Sequence, residues 1–348
     1  MSIFYAILAG IVLFAVWRMW RNRHGEIEDR PTPGFDPAEG QPEVPKAVEL
    51  FNAQDWASLS RLYLQLGPSD RYHLLESLSE VLRTAPPETP ADADSALLTV
   101  FGGLLMFHGL RFQGSGPAGA VVRKNAPRMM ENLQAAARLL RESASRNPHD
   151  STTLALQIRL ELFTTNDAAQ INNLVGRILA TEEANIYAAS NHLLANAPKW
   201  TGSAASMWKV ANEWANAGPN AAWLAIPARA HIEEWHYAMA FCAPGSAERA
   251  GMIDLMQDEN FIRHIAKLDD MFWAALPRAA LSGSEASYAH NHLAFLLHTF
   301  KVGDRARAHL ERIGPHIGRY PWVFLPTGAT RPAQLLAELR KQYSLPAS

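Results

Sequence analysis

A chain of 348 residues, 48% of them hydrophobic, can bury one large core or two average ones. Its net charge of −2 gives no overall attraction for a phosphate backbone. The single cysteine, Cys242, excludes an internal disulfide and a thiolate-built zinc site.

The charge is unevenly placed. Residues 1–23 carry +3, residues 24–45 carry −5, and residues 46–348 sum to zero with histidine neutral. A neutral body lacks the basic face that nucleic acid selects, so no nucleic-acid partner is expected.

The first predicted element is IFYAILAGIVLFAVW, Ile3–Trp17, which contains no charge and is extended by Met19 and Trp20 beyond Arg18. As a helix, residues 3–20 span about 27 Å, close to the roughly 30 Å of a hydrocarbon core. Tyr5, Trp17 and Trp20 stand where interfacial aromatic anchors are found. The basic cluster WRMWRNR follows the apolar run, the reverse of a cleaved signal peptide. The positive-inside rule then predicts a single-pass protein of a bacterial inner membrane, with its N-terminus out and its body cytoplasmic. Residues 1–23 form the expected transmembrane anchor. Residues 24–45, with five prolines and six acids, form an expected linker too poor in apolar surface to fold.

Residues 46–348 show helical periodicity with almost no strand-like alternation. Leu59, Leu62, Tyr63 and Leu66 share one helix face, closed by Gly67-Pro68. Leu74, Leu75, Leu78, Val81 and Leu82 make the next, and after APPETPA a third runs through Leu97, Leu98, Phe101, Leu104 and Leu105. Leu133, Ala136, Ala137 and Leu140 form a stripe ending at Asn147-Pro148, answered by Leu154, Ile158 and Leu162. Leu293, Leu296, Leu297 and Phe300 precede a Gly303-Asp304 turn, where Asp304 is placed to cap the helix bearing Ala306, Leu310 and Ile313. This last pair resembles a tetratricopeptide hairpin, although no clean 34-residue period runs through the chain. The expected fold is all-α: a TPR-like, α-solenoid-like array of helical hairpins behind the membrane helix.

Two loops are richer than simple turns. The first contains Gln113-Gly114-Ser115-Gly116-Pro117-Ala118, and the second is Pro198-Lys199-Trp200-Thr201-Gly202-Ser203. Gly-Ser-Gly can present backbone amides to an anion, but no Gly-Lys-Ser/Thr ending follows and no strand precedes it. In the second loop Pro198 stops one helix and Gly202 gives turn freedom. Ser203 is placed to cap a helix with a Met207, Val210, Ala211 and Trp214 stripe, with Trp200 packing over the joint. Lys199 is the residue that such a joint does not explain. Taken in order, the loops resemble those of an uncharacterised bacterial helical family of unknown function, with Arg-Gly-Ser-Gly-Tyr-Ala-like and Pro-Lys-Trp-Gly-Gly-Ser-like motifs. Here glutamine replaces that arginine, proline the tyrosine, and threonine one glycine. The resemblance implies an all-helical fold over about residues 50–325 and supplies no activity.

His231 and His236, five residues apart, point about 140° apart on a helix and cannot hold one zinc. His290 and His292 are equally awkward, which leaves only a site assembled from distant helices, such as His231, Glu234 and His290. No nucleophile elbow is present, Cys242 reads as a small buried thiol, and neither metal nor other cofactor is expected. The sequence points to a membrane-tethered helical protein that binds a protein partner at the cytoplasmic face, as an immunity or regulatory protein would. Gln113, Ser115, Lys199, Trp200 and Ser203 are the candidate binding residues. The alternative is an enzyme with a dispersed site around the two loops and the mid-chain histidines.

Overall fold

The computed structural model describes residues 34–112, 125–181, 183–200, 202–278 and 280–346, and among these the chain is entirely helical. The apolar run at residues 3–20 and the loop holding Gln113 and Ser115 lie outside the described residues. Among the described residues no helix is long and apolar enough to cross a membrane.

The helices are short and closely linked. α1 (Glu43–Asn52), α2 (Trp56–Gln65) and α3 (Pro68–Leu82) lead into the hairpin of α4 (Ser95–Arg111) and α5 (Ala126–Arg146). α6 (Ser151–Thr164), α7 (Ala168–Leu179), α8 (Ile186–Ala195) and α9 (Ala204–Ala217) follow. Next come α10 (Ala225–His236), α11 (Ala247–Leu255), α12 (Glu259–Ala275), α13 (Gly283–Thr299), α14 (Arg305–Ile313), α15 (Pro326–Thr330) and α16 (Pro332–Gln342).

Most of the expected stripes are buried. Leu59, Leu74, Leu75, Leu78, Leu133, Ala136, Leu140, Leu154 and Ile158 are all in the core. Val81 is not: it is 42% exposed, one turn before the left-handed Arg83 that ends α3. α4 packs closely on α5 at Gly102 and on α3 at Gly103 because neither carries a side chain. A Cβ there would come within 2.9 Å of Leu140 and 2.8 Å of Leu75.

Asp55, Asp94, Asp150, Asp167 and Asp258 each cap a helix through the side chain, as short polar residues at helix starts commonly do. Asp304 does not. It occupies the N-cap position of α14, but its side chain makes no capping hydrogen bond.

Two features depart from an open helical array, in which each repeat touches only its neighbours. First, α13 returns to pack on α3, and the backbone N–H of Ser284 donates to Asp70 at 3.0 Å. Second, α8 buries all ten of its residues, as a helix does when it is enclosed on every side. One contiguous hydrophobic core therefore runs from Phe35 to Tyr343.

The second half of the expected linker also differs. Residues 34–42 form a strap lying against the C-terminal part of the body. Phe35 is buried, and the Asp36 backbone N–H donates to Ile317 O at 3.0 Å. Gly34, in the left-handed region, lies against Pro332 and Ala333. Average composition hides the cause. The Asp36 carboxylate accepts from the backbone N–H groups of Ala38 and Gly40, both at 2.9 Å, folding a local turn that needs little apolar surface.

Candidate functional site: a polar cavity at the centre of the body

Three helices that are apolar on most faces place polar residues at helical spacing on one buried face. On α3 these are Tyr72, His73, Glu76, Ser77 and Glu80; on α8, Tyr187, Ser190 and Asn191; on α13, Tyr288, Asn291 and His292. The three faces converge on a cavity of about 110 Å³, completed by Arg159 of α6, Arg229 of α10, Arg319, and Glu39 of the strap. A single water needs roughly 10–15 Å³, so the space suits a small molecule.

The aromatic wall is ordered by stacking. Tyr72 and Tyr187 lie nearly parallel with centroids 4.6 Å apart, Tyr288 meets Tyr187 edge-on at 5.6 Å, and His292 stacks on Tyr288 at 4.0 Å. Proton positions follow from the partners. His292 Nδ1 lies 2.7 Å from the Tyr288 carbonyl and therefore carries the proton. Its Nε2 is left to accept from Arg229 at 3.2 Å. Burial, reinforced by Arg229, lowers the His292 pKa to about 3, so the ring is neutral. Tyr187 OH donates to His73 Nδ1 at 3.2 Å, and His73 Nε2 then donates to Ser77 Oγ at 3.0 Å.

The charged groups divide into satisfied and unsatisfied ones. Arg319 pairs with Glu80 at 3.1 Å, and Arg229 pairs with Glu233 at 2.5 Å. Among the described residues Arg159 has only a 3.4 Å contact to Asn191 Oδ1 and the face of Phe163 at 5.1 Å, and its Nε has no acceptor. Arg229 Nε is likewise buried without a hydrogen-bond partner, whereas the Tyr288 hydroxyl has the Ser190 side chain as its hydrogen-bond partner. Among the described residues the Glu76 carboxylate makes neither an ion pair nor a side-chain hydrogen bond. Burial raises its pKa, with Arg159 pulling the other way.

Glu39, with its backbone in the left-handed region, accepts from Ser287 Oγ. Burial raises the Glu39 pKa from 4.5 to about 7, against the lowering effect of Ser287 and with added repulsion from Asp36. The folded chain thus holds a proton on Glu39 that the unfolded chain releases. The resulting stabilisation is complete below about pH 4.5 and disappears as pH rises through 7. Amide exchange across residues 35–41, corrected for intrinsic rates, is expected to quicken from pH 5 to pH 8. Glu39→Gln is expected to flatten that dependence, and an unchanged slope in the variant would assign it to another group.

The PKWTGS joint is built largely as its residues suggest. Ser203 accepts from the Ser206 backbone N–H at 3.1 Å and Ser206 Oγ from the Ser203 N–H at 2.9 Å, a reciprocal cap on α9. Met207, Val210, Ala211 and Trp214 are buried behind it. Ser203→Ala is expected to cost about 1 kcal/mol in urea unfolding. Gly202 is required for a reason other than turn freedom: a Cβ there would collide with the Asn196 carbonyl. Trp200 is half-buried against Phe163 at 4.9 Å, edge to face.

Lys199 points inwards. Its ammonium pairs with Glu233, whose side chain is fully buried, and lies 5.6 Å from the Phe324 ring centroid. The joint therefore places a lysine in the second rank behind the cavity, where Arg229 shares the same carboxylate.

The histidines are not brought together as a metal site. His231 packs on Trp208, Phe261 and His264, whereas His290 Nδ1 meets His309 Nδ1 at 2.8 Å. His309 Nε2 in turn reaches Asp269 at 2.8 Å, on elements that do not line the cavity. Among the described residues no group of three potential ligands could hold a metal ion. Cys242 is half-buried after a turn of π-helix, more open than a core thiol.

The cavity residues were missed because an apolar helix carrying Tyr, Asn and His at i, i+3 and i+4 reads as a core helix with satisfied polar groups. The legible signal was that three such faces occur in one chain. The chain matches no protein-family model, no curated protein and no solved structure.

Proposed function

We propose that this protein binds a small polar molecule in its central cavity. The observation that carries the reading is unspent hydrogen-bonding capacity around one space: the Nε groups of Arg159 and Arg229 have no acceptor, and Glu76 faces the same cavity without an ion pair or side-chain hydrogen bond among the described residues. Buried polar atoms without partners are costly, and pockets that orient ligands use a few such groups against aromatic walls. The purified full chain, denatured after extensive washing, is expected to release one small molecule in near-stoichiometric amount by mass spectrometry, or to gain thermal stability with members of a polar metabolite panel. If the native protein gives neither result, the reading falls.

A second reading concerns where this happens. The uncharged run Ile3–Trp17 and the basic cluster behind it support a membrane tether with a cytoplasmic body. A tethered body of this kind also fits capture of a protein partner, in an immunity or regulatory role. Protease protection in membrane vesicles tests the orientation, and a C-terminus cleaved from the outer side would reverse it. Affinity capture from membranes tests the partner, which should be recovered in stoichiometric amount.

A further inference from the structure

We propose that the occupant of the cavity is a small zwitterion of the α-amino-acid type, its ammonium group held by Glu76 and its carboxylate by Arg159. This rests on the reading that the cavity binds a small polar molecule.

Opposite charges are left open across a gap. Arg159 and Glu76 feel one another electrostatically yet form no ion pair within 4.0 Å, while their neighbours Arg319 and Glu80 close directly at 3.1 Å. A ligand carrying a single charge would satisfy one of the two and leave the other buried and unmatched, which is the costly arrangement. A ligand carrying both charges on adjacent carbons satisfies both.

The polarity of the space agrees. Its acidic groups, Asp36, Glu39, Glu76 and Glu80, come from the strap and α3 and two of its arginines, Arg159 and Arg229, from α6 and α10, while the third, Arg319, is spent on Glu80. Between them the ring faces of Tyr72, Tyr187 and Tyr288 offer a surface for an alkyl stem and for the flank of an ammonium group. Arg159 Nε supplies a donor that no described residue accepts.

The test is calorimetric titration of the full chain in detergent micelles with the L-α-amino acids. Each is paired with its 2-oxo acid, which lacks the ammonium group, and with its decarboxylated amine. At least one amino acid is expected to bind at least tenfold more tightly than both of its partners. Glu76→Gln and Arg159→Gln are each expected to weaken that binding about ten- to hundredfold, with helicity by circular dichroism unchanged. An acid or an amine binding as tightly as the amino acid would overturn the zwitterion and leave the small-ligand reading standing. If no member of the three sets binds and denaturation releases no small molecule, both readings fall. Because the analogue series uses the unmodified protein, the test survives a variant that does not fold.

Discussion

Glu233→Gln is expected to destabilise the fold by about 3–5 kcal/mol, the usual cost of removing one partner from a buried ion pair. The carboxylate sits fully buried between Lys199 and Arg229, and both cations depend on it. Burial alone would raise its pKa. Arg229 and Lys199 overcome that and hold it near 2. The sign of the pH effect follows. The stabilisation is complete above the unfolded value of 4.5 and is lost as pH falls toward 2. Urea midpoints measured from pH 6 down to pH 2.5 should fall more steeply for the native chain than for the variant. Lys199→Met should cost less than Glu233→Gln, because Arg229 still pairs with Glu233. A larger loss in the lysine variant would contradict the arrangement.

Trp322→Ala is expected to cost about 3–5 kcal/mol and to damage the cavity as well. The indole is fully buried, its Nε1 donates to Asn291 Oδ1 at 3.0 Å, and its ring meets Phe295 edge-on at 5.4 Å. Asn291 lines the cavity, so the tryptophan fixes a polar wall from behind. Thermal denaturation measures the first effect. Trp322→Phe separates the two: it keeps most of the apolar bulk and removes the hydrogen bond. It should therefore recover most of the stability while removing one of the hydrogen bonds that hold Asn291, whose amide still donates to Ser287.

The all-helical character was legible because apolar residues recur every three or four positions from Leu59 to Ile313, and nothing competes with that period. Closure of the array was not. The contact between α3 and α13 joins residues more than two hundred positions apart, and no local pattern encodes which distant stripe a helix will meet. The strap escaped for the opposite reason. Its fold rests on one aspartate turn and one phenylalanine within a stretch whose average composition argues for a spacer.

At the candidate site, Ser203 could be read as a cap because capping is a local relation of three residues. Lys199 could be singled out as unexplained, but its partner Glu233 lies thirty-four positions later on another helix. Gln113 and Ser115 lie outside the described residues. The cavity groups were invisible singly, since only convergence distinguishes an unsatisfied arginine from one on the surface.

The strap brings Gly34 against Pro332 and Ala333, so two stretches separated by almost the whole chain are neighbours in the folded body. During synthesis the strap leaves the ribosome well before the surface it docks on. Until then Glu39 has no Ser287 and no Gly318 to lie against. A nascent chain stalled before residue 330 should therefore lack part of the strap's docking surface and leave the acid-lined cleft open.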